Sequence, residues 1–177
     1  MKKLITLLFL TVGLVSFGQT TVNPDTVCIN ATGEQYFVTN SLGSTYSWTT
    51  TGTLTSGGGT NAVTIDWGGV PGLYPNAVTV TETTQALCTG NPVTLDVYIL
   101  ELLLLAAGDF CITDPSYALI TNIGGGILSG NGIIGGDFDP STAGVGTHTI
   151  TYSLSGCSVT TNITVNNTPT TGPIQHY

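Results

Sequence analysis

Few side chains in this sequence could do chemistry: two histidines, four cysteines, ten carboxylates and one glycine pattern. His148 stands in the run Gly144-Val145-Gly146-Thr147-His148-Thr149-Ile150-Thr151-Tyr152. In a strand, alternate residues share a face, so His148 is expected beside Ile150 and Tyr152, with Thr147, Thr149 and Thr151 opposite. A catalytic imidazole needs a partner to take or orient its proton, and the other histidine is His176 in the C-terminal tail. His148 is therefore expected to be a half-buried, hydrogen-bonded ring at the end of a core.

Asp137 and Asp139, joined by Asp109 or Asp114, are the candidate ligands for a metal, and Ca²⁺ is the ion that oxygen donors would suit. Their spacing completes no EF-hand loop, so solvated loop carboxylates are the expected reading. Gly130-Asn131-Gly132-Ile133-Ile134-Gly135 is a literal GxGxxG. Phosphate binding by that pattern needs a helix N-terminus behind it, and Asp137-Phe138-Asp139-Pro140 offers acids and no helical period. These glycines are expected to form turns. Trp48 and Trp67 would stack on sugars if exposed, but each lies in an alternating segment and is expected in a core.

The elements that hold these residues follow from composition. Lys2-Lys3, an apolar stretch over 4–15 and Ser16-Phe17-Gly18 form the pattern of a cleavable secretory signal over 1–18. Its removal takes both basic residues and leaves the 10 Asp+Glu without a Lys or Arg to offset them. Such a chain repels polyanions, which excludes nucleic acid and anionic lipid surfaces as partners. With 41% hydrophobic and 7% charged residues it is equipped to bury a core.

Beyond residue 18 there is no helical apolar period, whereas period-two runs of β-branched residues recur, so the chain is expected to be all-β. Strands are expected over 26–29, 35–39, 45–50, 62–67, 77–83 and 93–100, then over 102–106, 117–121, 126–129, 146–153 and 159–165. This makes two β-sandwich domains, 19–100 and 101–167, followed by an extended tail, 168–177. The apolar run 99–107 is too short to span a membrane and is expected to carry the last strand of the first domain directly into the second.

Four cysteines in an exported chain imply disulfides, with three connectivities open. Each half has an early cysteine (Cys28, Cys111) and a late one (Cys88, Cys157), a placement that suggests one bridge per domain. Loops of about 45–60 residues closed in this way would each contribute roughly 4 kcal/mol.

Tyr46-Ser47-Trp48, Ala62-Val63-Thr64-Ile65-Asp66-Trp67-Gly68 and Pro71-Gly72-Leu73-Tyr74 leading into Val78-Thr79-Val80-Thr81 resemble the PKD-like Ig-fold modules of secreted Bacteroidota cell-surface proteins. Phe138-Asp139-Pro140 followed by 143–152 is similar to an Ig-like module of the same proteins, which are associated with gliding motility and type IX secretion. The chain lacks the Gly-Asp-Gly turn of typical PKD domains after Trp48. The resemblance implies two tandem Ig-like (PKD-like) sandwiches and a place outside the cell or at its surface, with the periplasm as the other exported compartment.

The function expected from these features is structural or adhesive and non-enzymatic, with a protein or glycan partner, no cofactor and no membrane insertion. Two alternatives stand beside it: a Ca²⁺-dependent or glycan-binding module, and an accessory subunit of an outer-membrane secretion or motility assembly. In the latter, the tail would add a strand to a partner's sheet.

Overall fold

The computed structural model describes residues 24–105 and 108–176. The expected secretory segment lies outside them. The described residues are all-β apart from one helical turn, and their sheets form Ig-like sandwich layers.

The first group of strands comprises β1 (Asp25–Cys28), β2 (Glu34–Phe37), β3 (Thr45–Thr50), β4 (Thr53–Ser56), β5 (Ala62–Asp66), β6 (Gly72–Thr83) and β7 (Val93–Leu100). They make a four-stranded sheet in the order β1-β7-β6-β3 and a three-stranded sheet β2-β5-β4. Period-two alternation sends Val63 and Ile65 of β5 and Val97 and Ile99 of β7 inward, where they join Val27, Trp67, Ala77 and Val78 in one buried cluster. Ala77 and Val78 are consecutive and both buried because the β6–β7 register shifts between Tyr74 and Val78, with Asn76 at positive φ. Between these pairs β6 takes four steps against two on β7, and the two extra residues disrupt the ladder so that neighbours can turn to the same side.

The second group comprises β8 (Leu104–Leu105), β9 (Phe110–Cys111), β10 (Tyr117–Ala118), β11 (Ile120–Thr121), β12 (Ile127–Ser129), β13 (Ile133–Ile134), β14 (Asp137–Phe138), α1 (Pro140–Ala143), β15 (Gly146–Leu154) and β16 (Cys157–Asn166). Its sheets are β12-β15-β16-β9, β10-β14-β13 and the pair β11-β8. Leu102, Leu104, Phe110, Phe138, Ile150, Tyr152, Ile163 and Val165 belong to its buried cluster. Leu100, at the end of β7, is buried in this second cluster rather than the first.

The long expected strands are found, although β6 begins at Gly72 and not at Ala77, while four short ones, β4, β9, β13 and β14, lie outside the expected set. The segment expected as one strand over 117–121 is divided between two sheets, β10 and β11. The expectation that no helix starts near Pro140 is corrected. Asp139 accepts from Ser141 N and Thr142 N, Pro140 stands in the first turn, and the Gly144 N–H closes onto Pro140 O. A cap, a proline and a terminal glycine suffice for one turn without an apolar period. Residues 167–176 are exposed and have no regular structure.

Candidate functional site

His148 lies on β15 opposite Ile163, half-buried, with Ile150 and Tyr152 buried on the same face and Thr149 exposed on the other. The expected register is therefore observed. Its Nε2 is 2.8 Å from Gly144 O and its Nδ1 is 3.2 Å from Asn131 Nδ2. Asn131 Nδ2 also donates to Ala143 O at 2.7 Å, which fixes that amide's orientation. A carbonyl only accepts and an amide NH₂ only donates, so His148 carries its proton on Nε2 and accepts at Nδ1. Both ring nitrogens are thus engaged in pinning the corner at 131 and 143–144, and neither faces a second catalytic group.

The glycine pattern serves the same corner. A Cβ on Gly130 would come within 2.6 Å of Thr149 O, and one on Gly132 within 2.7 Å of Ala143 Cβ and 2.8 Å of Phe138. Both residues also hold positive φ. The glycines are required by close approach of β15, Phe138 and α1, as a turn function demands.

Asp137 and Asp139 flank Phe138, and each is held in its own local setting. Asp137 lies exposed on β14, paired with Ile134 and Ala118, while Phe138 next to it turns inward. Asp139 uses Oδ1 for Ser141 N and Ser141 Oγ, with a longer contact to Thr142 N, and Oδ2 for Thr142 Oγ. The Ser141 hydroxyl first, then these backbone and threonine donors, hold its carboxyl below the usual carboxylate range. Asp114 Oδ2 accepts from Cys111 N at 2.7 Å, closing a local turn, and Asp109 is exposed. Among the described residues no three His, Cys, Asp or Glu side chains form a metal-sized group.

The tryptophans differ from each other. Trp67 is buried in the first core, its Nε1 without a hydrogen-bond partner and its ring edge against Tyr36. Trp48 is half-buried against that core's rim and donates from Nε1 to Thr60 O at 2.8 Å. Tyr36 in turn donates to Asp25 Oδ2 at 3.1 Å. Burial, then the Asp25 charge, raises the Tyr36 phenol far above its ordinary value.

The cysteines give the largest correction. Cys28 is bonded to Cys157, with Cα atoms 5.4 Å apart and a sequence separation of 129, while Cys88 and Cys111 are free thiols. The expected pairs, Cys28 with Cys88 and Cys111 with Cys157, fail for the same geometric reason. Cys28 stands opposite Leu100, the last residue of β7, whereas Cys88 lies in the connection that precedes the first, Val93. Cys111 stands opposite Asn166, the last residue of β16, whereas Cys157 is its first. Strands of eight and ten residues place those partners roughly 25 and 30 Å apart at about 3.3 Å per residue, against the ~7 Å a disulfide tolerates. The sequence does contain one pointer to the observed pair. The run after Ile99, apolar except for Glu101, brings the end of β7, and with it Cys28, against the second core, where Cys157 is buried.

The chain matches no protein-family model and no curated relative.

Proposed function

We propose that this chain is an exported, non-enzymatic structural or adhesion protein made of two Ig-like, PKD-like sandwiches, acting at the cell surface through a protein partner. The observation that carries the reading is the Cys28–Cys157 bond, which ties the first strand group to the second. A disulfide of this reach fits a protein that folds and works in an oxidising compartment. It also fits a part whose role is to hold its two halves together. No helix among the described residues is long and apolar enough to cross a membrane.

An exposed apolar strip supports a protein partner over a glycan. Leu105 of β8 and Ile120 of β11 are directly paired and 58% and 55% exposed, and Leu103, two residues before Leu105, is 45% exposed. Leu102 and Leu104 alternate with them into the core. Apolar side chains grouped on an outer face favour a protein surface, whereas sugar recognition relies on exposed aromatic faces and polar groups.

The test is retention of the purified protein on intact cells and on fractionated envelope protein. The expected result is saturable binding that Leu105→Ser with Ile120→Ser weakens at least tenfold while the melting temperature is kept. Turnover in a panel of hydrolase substrates, or binding unchanged by the double substitution, would overturn the reading.

A further inference from the structure

We infer that the Cys28–Cys157 bond makes this protein a tension strap, in which a pull between its two ends bypasses nearly all of the folded chain. The argument is one of covalent connectivity. Force entering at Asp25 runs along β1 to Cys28, crosses to Cys157 and leaves along β16 to Asn166. β2 to β15 lie within the 129-residue loop that the bond closes, so once oxidised they are shunted out of the loaded path. The strap consists of two strands joined through sulfur.

The strand pairings make a second, weaker defence. β1 pairs in parallel with β7, and β9 in parallel with β16. With the bond open, force passes in at the start of β1 and out at the end of β7, then in near β9 and out at the end of β16. Parallel end strands loaded this way are sheared, so their ladder bonds must fail together instead of one at a time. That resistance rests on four register pairs in the first ladder and two in the second. The disulfide replaces these few hydrogen bonds with a covalent bond. The strip at Leu103, Leu105 and Ile120 lies inside the shunted loop, so it would stay folded while the ends carry load.

This inference rests on the structural and adhesive reading only for the origin of the pull, and its test is separate. The full chain is tethered by handles before Asp25 and after residue 176 and stretched singly, first oxidised and then with reductant added to the same molecules. The expected gain in contour length on reduction is about 45 nm, from 129 residues at roughly 3.5 Å each. Cys28→Ser should show the longer extension without reductant, whereas Cys88→Ser should keep the oxidised length. In-place reduction of wild-type molecules keeps the test valid even if Cys28→Ser folds poorly. An oxidised chain that already extends fully would overturn the inference, and so would release of part of the hidden length by Cys88→Ser, which would indicate separate bridges. Loss of cell binding with the 45 nm gain intact would count against the adhesive reading alone.

Discussion

The two strand groups share an end-strand arrangement and differ in what lies between. In each, an early strand runs parallel to the last, β1 with β7 and β9 with β16. The first group fills the interval with long ladders: β6 has twelve residues and pairs with both β7 and β3. Apart from β15, which pairs along its nine residues with β16, the second fills it with two- and three-residue strands, β8 and β10 to β14, that are too short to hold a register by ladder bonds. Side chains do that work instead. Tyr152 donates to Ile123 O and accepts from Gly126 N, Asn122 bridges Glu101 O and Leu103 N, His148 and Asn131 fix the 143–144 corner, and Asp139 caps α1. Backbone pairing thus secures the first half, whereas in the second the β15–β16 ladder is joined by polar side chains that hold the short strands around an aromatic core of Phe110, Tyr117 and Phe138.

The sharpest way to break this comparison is to remove the link between the halves. A bond closing a loop of this size is worth about 5 kcal/mol in the chain-entropy picture. Cys28→Ser should therefore lower the denaturant midpoint by more than any other single change considered below, with Cys88→Ser leaving it in place. Denaturation followed by tyrosine and tryptophan signals should also lose its single transition, because both tryptophans lie in the first group and the two halves would no longer unfold together.

Next in size is Phe138→Ala. Phe138 is fully buried and contacts Phe110 at 5.5 Å between ring centroids. Its truncation should cost about 3–5 kcal/mol. Hydrogen exchange should locate the loss in residues 100–166, with Val97 and Ile99 amides keeping their protection. Equal loss in both groups would show that the two buried clusters form one cooperative core.

The same contrast explains what the sequence made legible. Long strands with clean alternation, such as Thr45–Thr50 and Val93–Leu100, could be placed to the residue because one face is buried and a one-residue slip would expose it. The His148 register was legible for the same reason. The pieces β9, β13 and β14 carry no period of their own: two residues cannot alternate, and their positions depend on β10, β16 and Phe138. Strand β4 was hidden differently, since all four of its residues are exposed and its composition reads as a turn. The disulfide pairing depended on which end of each partner strand a cysteine faces, and parallel pairing of sequence-distant strands supplies that information only once the fold exists. Symmetry of cysteine placement pointed to local bridges, but tertiary register decided otherwise.

Tyr152→Phe tests the polar pins at intermediate size. It keeps the ring in the core and removes the hydroxyl, leaving Ile123 O and Gly126 N without that partner. The expected cost is about 1–3 kcal/mol, with faster exchange confined to residues 122–128. By comparison, Tyr36→Phe in the first group should be milder, because the β2–β5 ladder around it remains intact.

The smallest effects are those of exposed carboxylates, and they set the two halves side by side under acid. Serine hydroxyls hold Glu82 in the first group below its ordinary range, Ser44 foremost, and the Ser141 hydroxyl with the helix N–H groups does so for Asp139 in the second. For both, the folded state binds its proton less readily than the unfolded state, so stability rises with pH across that interval. The contribution is fully present above the ordinary carboxylate range and is lost as pH falls through the lowered folded value. Asp139→Asn keeps a capping side chain but removes the titration, so its stability gap to the wild type should be largest near neutrality and close in acid. Glu82→Gln should follow the same course with a smaller gap, because serine hydroxyls hold Glu82 whereas Asp139 also receives backbone N–H groups that no other side chain satisfies. Urea titrations from neutral to acid pH on both variants would measure the two gaps. A larger gap for Glu82 would mean that the helical turn at Pro140 is held by its surroundings and not by its cap.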